Sequence, residues 1–377
     1  MDKMLACEQP REVDVGCIER ELRRMWMNEG PGVVRTCAMN LAVVLWQRTE
    51  VGEVEIIMRR VADTNPARVI LITADPESPA ELRSWIAAQC RAPQGSGARV
   101  CQELIRLNIH GNQVQHVDNV LFSIFAPDLP TFLWWIGGVP DDPVAQRALG
   151  NLLERCDRIV LDTLRLTDPL LELVAMALHV SSPEQRAALG DLNWHRLTPW
   201  RQVIAQTFDP PEMRPALFSL DRVEVACDCA DSPTRIPVQV LLLMGWLASR
   251  LGWRSRGTRG AAGEQVVVDF ERKDGGAVVL HLLCHVGPVV HHSRIQSVRM
   301  TAPGTALEAL LRGETELESV LEVDGRPPLR RVVAAHTMDL FNVLQRELGI
   351  MGRNPVYEQA LIMAERLGTL AMRASLV

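Results

Sequence analysis

Lysine is almost missing from this 377-residue chain: Lys3 and Lys273 are the only two, so nearly all of its 40 basic residues are arginine. Tyrosine is rarer still, with Tyr357 alone against nine tryptophans. The nine cysteines, at 7, 17, 37, 90, 101, 156, 227, 229 and 284, form no Cys-x-x-Cys and no paired spacing. That argues against a secreted disulfide scaffold and against a structural zinc site. Positive charge is not in excess: 40 basic and 46 acidic residues give a net charge of −6, so nothing drives binding to a nucleic-acid backbone. The longest apolar run, residues 240–248, is too short to cross a bilayer. The opening MDKMLACEQPREVDVG is too polar for a signal peptide, and no Asn-x-Ser/Thr sequon occurs. The expectation is a cytoplasmic protein with no membrane and no nucleic-acid partner.

What is present is ordinary for a globular protein, with 47% hydrophobic and 23% charged residues. The length exceeds what one core usually serves, so two domains are expected. The arginines favour bidentate pairing with carboxylates or phosphates and stacking on rings. Tryptophan and arginine are also the residues enriched at interface hot spots.

Ile18, Leu22, Met25 and Trp26 recur at helical spacing. Residues 35–46 (RTCAMNLAVVLW) and 67–73 (ARVILIT) read as buried strands flanking a helix over 53–62, the pattern of a βαβ unit. Ser78 and Pro79 suit the start of a helix running to Cys90. Strands are expected at 100–108, 132–136 and 158–162, with helices starting at Pro143 and Pro169. Residues 1–209 therefore read as a three-layer α/β domain with a mostly parallel sheet. After Asp209-Pro210-Pro211 the texture changes, and 210–377 read as a second, α+β domain. It has strands at 222–229, 266–270, 277–285 and 295–300, a buried helix over 237–251 and two helices at the end, the last capped by Asn354. Residues 254–263 (RSRGTRGAAG) read as a mobile loop.

Catalytic motifs are absent: no G-x-x-x-x-G-K-S/T, no H-E-x-x-H, no G-x-S-x-G. Gly95-Ser96-Gly97 lacks the third glycine of a dinucleotide fingerprint and precedes a strand, so it reads as a loop. His281, Cys284, His285, His291 and His292 are the one group of potential metal ligands; a sheet face with part-exposed histidines is the preferred reading, and no metal is expected. Cys227 and Cys229 share one face of a strand, either as a redox-sensitive pair or as two small buried hydrophobes. Arg254, Arg256 and Arg259, set among glycines, are candidates for holding an anion, with a solvated loop as the alternative.

Two stretches are more specific: residues 129–140, LPTFLWWIGGVP, and 191–201, DLNWHRLTPWR. With CDRIVLDT at 156–163, NPARVILI at 65–72 and GRNPVYEQA at 352–360, they resemble the glucose-6-phosphate dehydrogenase assembly protein family, OpcA, over nearly the whole chain. The resemblance implies a protein without catalysis of its own. Such a protein would bind glucose-6-phosphate dehydrogenase, promote its active oligomer or activate it allosterically, and need no cofactor. It also implies, for cyanobacterial members, redox control through thioredoxin. Trp134, Trp135, Trp194, Arg196, Trp200 and Arg201 are the candidate contacts with the enzyme; a structural staple is the alternative for the Trp194–Arg196–Trp200 group. The rival reading is a sugar-phosphate-binding protein or an enzyme acting on sugar phosphates, which a pocket with convergent arginines would favour.

Overall fold

The computed structural model describes residues 9–27, 33–47, 51–91, 99–138, 143–165, 168–229, 236–259, 265–286, 294–313, 315–335 and 339–375. Along the first half run β1 (Arg11–Val13), α1 (Ile18–Met27), β2 (Val33–Arg35), β3 (Met39–Trp46), α2 (Val51–Thr64), β4 (Ala67–Asp75), β5 (Glu81–Arg91) and β6 (Arg99–His110). Then come α3 (Val117–Ile124), β7 (Thr131–Ile136), α4 (Pro143–Arg155), β8 (Arg158–Leu161), α5 (Pro169–Ser181) and β9 (Ala188–Asp191). The second half has α6 (Leu192–Arg196), α7 (Thr198–Phe208), α8 (Arg214–Phe218), β10 (Arg222–Cys229), α9 (Val238–Leu251), β11 (Arg254–Arg259), β12 (Gln265–Glu271) and β13 (Ala277–Val286). It ends with β14 (Ile295–Ala302), β15 (Thr305–Arg312), β16 (Glu316–Val323), β17 (Leu329–Ala334), α10 (Leu340–Leu348) and α11 (Pro355–Ser375).

The fold is α/β with two sheets. The first orders its strands β1-β5-β6-β4-β3-β7-β8-β9, with β2 paired to β6. From β6 to β8 the pairing is parallel. Its central strands are apolar without alternation: all eight residues of β3 are buried, as are the first eight of β4, because both faces are covered. Helix α1 lies on one of those faces, where Trp26 donates to the buried Glu103 of β6 (2.7 Å). Glu103 also pairs with Arg68 of β4 (2.6 Å) and Arg35 of β2 (2.7 Å). Both partners of the Arg68–Glu103 pair are 2% exposed, so neither charge tolerates loss of the other.

One expected element is overturned. Residues 78–90 do not form a helix; they supply β5, antiparallel to β6 over eleven residue pairs. The sequence ELRSWIAAQCR alternates over its first half, with Ser84 and Ile86 buried and Arg83 and Trp85 more open, then is buried from Ile86 to Gln89, and β6 provides its ladder. The hairpin sets Cys90 opposite Cys101, Cα atoms 4.0 Å apart, and they are joined by a disulfide that the cysteine spacing did not announce.

The second sheet orders its strands β11-β12-β13-β10-β14-β15-β16-β17 and is antiparallel except for β10 beside β13. Strands β15 to β17 occupy 305–334, where the sequence reading assigned no element. The expected loop at 254–263 is instead an edge strand over 254–259, held by β12. Helix α9, buried nearly all round, is crossed closely by α11: a Cβ at Gly245 would overlap the Ala360 carbonyl. Asn354 caps α11, its Oδ1 accepting from the Tyr357 amide (3.1 Å).

The sheets lie on either side of the expected boundary at 209/210. The compact units divide elsewhere: one comprises residues 1–161, 183–190 and 348–353, the other 162–182, 191–347 and 354–377. Helices α5, α6 and α7 join the second unit because α5 packs on α11 and α7 on β15 to β17. Among the described residues no helix is long and apolar enough to cross a membrane.

Candidate functional site

In the first unit the chain leaves β3 towards β4 on one side and re-enters at β7 towards β8 on the other. The switch point of the sheet therefore lies between β3 and β7, where proteins of this topology bind ligands beyond the carboxyl ends of the strands. A dinucleotide needs a glycine-rich turn there. This chain reads Gln47-Arg48-Thr49-Glu50-Val51-Gly52 after β3, with residues 48–50 outside the described structure. The crevice end of β3 is Trp46, and its ring stacks on that of Trp135 in β7, centroids 5.3 Å apart and planes at 25°. Both are 3% exposed. Gly137 makes this possible: its φ is +135°, and a Cβ there would lie 2.7 Å from the Trp46 carbonyl oxygen. Trp135 Nε1 donates to the Gly138 carbonyl (3.2 Å). Trp134 points to the opposite face, as alternation requires, and is buried.

In the second unit the DLNWHR stretch forms a buried polar hub. Asp191 caps α6, with Oδ1 accepting from the amides of Asn193 (2.9 Å) and Thr163 (3.1 Å). Its Oδ2 accepts from the hydroxyls of Thr163 (2.8 Å) and Tyr357 (3.4 Å). Asn193 in turn accepts from Gln239 of α9 (2.9 Å). Arg196 makes two bonds to the Asp162 carboxylate, 2.6 and 2.9 Å. His195 meets Glu347 at 2.6 Å. Burial, reinforced by the negative charge of Asp162, pushes the Asp191 carboxyl up to about 7. The Arg201 guanidinium lies 3.5 Å over the Trp194 ring and donates to the Trp194 carbonyl and Thr198 hydroxyl, both at 3.1 Å. Loss of hydration lowers its pKa to about 10.

The structure thus brings Trp194, Arg196, Trp200 and Arg201 together, and separately Trp134 and Trp135. It turns their side chains inward: the five apart from Arg201 are at most 5% exposed. Contact with a partner through these rings would need an exposure that this packing does not give, whereas stapling α6 and α7 to α9 and α11 needs none. Tyr357, Gln239, Glu347 and Trp46 complete the clusters and were not singled out from the sequence. The sole tyrosine, inside the NPVYEQA motif, was the available signal.

Arg254 and Arg256 sit on β11, and Arg256 pairs with Glu271 of β12; residues 260–263 of the expected loop lie outside the described residues. Arg259 ends the same strand, its side chain outside the described residues. Cys227 is fully buried, and its Sγ lies 3.7 Å from that of Cys284 on β13. The side chain of Cys229 lies outside the described residues, as do His291 and His292. Among the described residues no three His, Cys, Asp or Glu side chains group to hold a metal.

Two family models match the chain: the glucose-6-phosphate dehydrogenase subunit N-terminal domain over residues 58–178, and the C-terminal domain of the same subunit over 187–361. Among curated relatives, an OpcA protein of Synechocystis sp., named for the OxPP cycle, is 30% identical over 51% of this chain and 38% of its own length. That of Synechococcus elongatus is 26% identical over 60% of this chain and 49% of its own. The chain thus matches about half, or less, of the length of these relatives. Among solved structures, an oxidoreductase from Sinorhizobium meliloti covers 89% of the chain with 13% identity and a TM-score of 0.52, and 97% of that structure is covered. The transcriptional regulator Gal80p from Kluyveromyces lactis gives the same TM-score at 7% identity, with 90% of each chain covered. At such identities the likeness is one of fold, and a fold that carries both an oxidoreductase and a transcriptional regulator does not by itself decide function.

Proposed function

Because this chain belongs to the glucose-6-phosphate dehydrogenase subunit family that includes OpcA, we propose that it is a non-catalytic partner of glucose-6-phosphate dehydrogenase. In this reading it binds the enzyme in the cytoplasm and favours its active oligomer or active conformation, raising NADPH output of the oxidative pentose phosphate pathway. The matches to the N- and C-terminal domains of one and the same dehydrogenase subunit carry the reading. The stacked Trp46 and Trp135 support the absence of catalysis, since they occupy the strand ends at the switch point beside which a sheet of this topology would seat a nucleotide. Activation is then a coupling free energy between partner binding and the enzyme's active state, typically ~1–3 kcal/mol. The motif residues serve from inside, by fixing the packing that shapes the contact surface.

The test is a rate titration. Cognate glucose-6-phosphate dehydrogenase at sub-saturating glucose 6-phosphate is titrated with this protein, with and without thioredoxin as reductant. A saturable rise in rate, with no NADPH formed by this protein alone, supports the proposal. No rise and no co-elution of the two proteins overturns it. An effect of thioredoxin would point first to the Cys90–Cys101 disulfide, because Cys227 is sealed in the core.

A further inference from the structure

Parallel neighbours such as β4 and β6 are normally joined by a helix that crosses one face of the sheet. Here β5 makes the connection and lies in the sheet itself, outside β6. The face beside α2 is therefore left without that helix, and a cleft of about 500 Å³ opens over β4, β6 and β5. This volume is in the range of small-molecule sites, roughly 300–1,000 Å³.

Three elements send arginines into the cleft: Arg59 from α2, Arg83 from β5 and Arg106 from β6. The guanidinium carbons of Arg83 and Arg106 lie 4.9 and 5.9 Å from the centroid of the Trp85 ring between them, which holds the two cations together. Their present partners lie near the surface, where water screens them. Arg83 holds Glu12 through two bonds of 2.8 Å, both side chains about half exposed, and has Glu81 at 3.7 Å; Arg106 bonds Glu55 at 2.9 Å with both partly exposed. Arg59 has no carboxylate partner among the described residues, and Nε of Arg106 is buried without an acceptor. A buried donor left unpaired calls for an explanation, and an incoming oxygen would supply one. One wall is apolar, built by Met58, Leu71 and Leu104. Asn108 completes the lining; its Oδ1 accepts from Thr73, which leaves its amide hydrogens to donate.

We propose that this cleft binds a phosphomonoester metabolite. The dianion exchanges places with the Glu55 and Glu12 carboxylates on Arg106 and Arg83, with Arg59 as the third cation, and the organic body lies on the Met58–Leu71–Leu104 wall. Two non-reacting carboxylates already present set the selectivity: a singly charged or neutral ligand gains too little to displace them.

Calorimetric titration of the full chain, without the dehydrogenase, tests this independently of the partner reading. The probes are glucose 6-phosphate, AMP and inorganic phosphate, with glucose and adenosine as uncharged controls. Saturable binding of glucose 6-phosphate or AMP, and none of the controls, is expected; the preference between the two identifies the body as sugar or nucleoside. Arg83→Gln and Arg106→Gln should each weaken binding by about tenfold or more. Glu55→Gln should tighten it, an effect that a purely structural glutamate would not give. Arg83 is half exposed, so its variant folds even if that of Arg106 does not. Absence of binding by both phosphomonoesters, or binding untouched by Arg83→Gln and Glu55→Gln, overturns the proposal. Inorganic phosphate binding as tightly as either ester removes the organic body from it.

Discussion

Trp46 and Trp135 stand on adjacent parallel strands and stack at 5.3 Å, and the carbonyl of Trp46 leaves no room for a Cβ at residue 137. Three positions of the chain, far apart in sequence, thus pack together at the strand ends where this sheet changes direction.

Trp46→Ala should cost ~3–5 kcal/mol in urea denaturation, as for other large-to-small changes of buried aromatics. A double-mutant cycle with Trp135→Ala should return a coupling of ~0.5–1.5 kcal/mol beyond the area each ring buries. Additive losses would mean that the stacking contributes nothing of its own.

The Asp191 carboxyl titrates near 7 in the folded chain, raised from 3.8. The folded state therefore holds a proton that the unfolded state has released between these values. This contribution to stability is complete below about pH 4 and is lost as pH rises through 7. Urea denaturation across that window should show a falling component of at most ~1.4 kcal/mol per pH unit, and Asp191→Asn should remove it.

Arg196→Met should destabilise by ~3–5 kcal/mol, because it leaves the buried Asp162 carboxylate short of its two-point partner. Binding to the dehydrogenase should fall only where the fold is lost, as read by circular dichroism beside a pull-down. A well-folded Arg196→Met chain that fails to bind would place Arg196 in the interface after all.

Thiol reactivity should follow burial. The thiol of Cys156 is pushed up to about 12, chiefly by burial, so it should resist iodoacetamide at pH 8 in the folded chain. Half-buried Cys17 should label before it, and mass spectrometry of the alkylated peptides decides the order.

Much of this architecture can be read without coordinates. Strands such as Met39–Trp46 and Ala67–Asp75 announce themselves as mostly apolar runs, and Asn354 and Asp168 mark helix starts that the structure keeps. Where the reading failed, the deciding partner was remote. Residues 81–91 carry a helix-like start at Ser78-Pro79, but the ladder of β6 fixes them as a strand; with the hairpin unseen, Cys90 and Cys101 could not be matched. Arg254–Arg259 looked like a loop because its glycines and arginines signal one locally, and only β12 makes it a strand. The tryptophan-rich motifs were located correctly, but sequence gives no depth. The same rings that suit a hot spot also suit a core, and the packing of Trp194 against Tyr357 and of Arg201 over Trp194 puts them in the core.

The path of the chain between its two units also bears on how it is made. Each unit is assembled from three separate stretches, and each includes residues beyond position 347. A ribosome therefore releases the strands of the first sheet long before either unit has all its parts, and α9 waits for α11 to cover Gly245. No single cut yields either unit intact, because the stretches of the two alternate along the chain. Until α11 is made, α9 of the second unit keeps an apolar face uncovered.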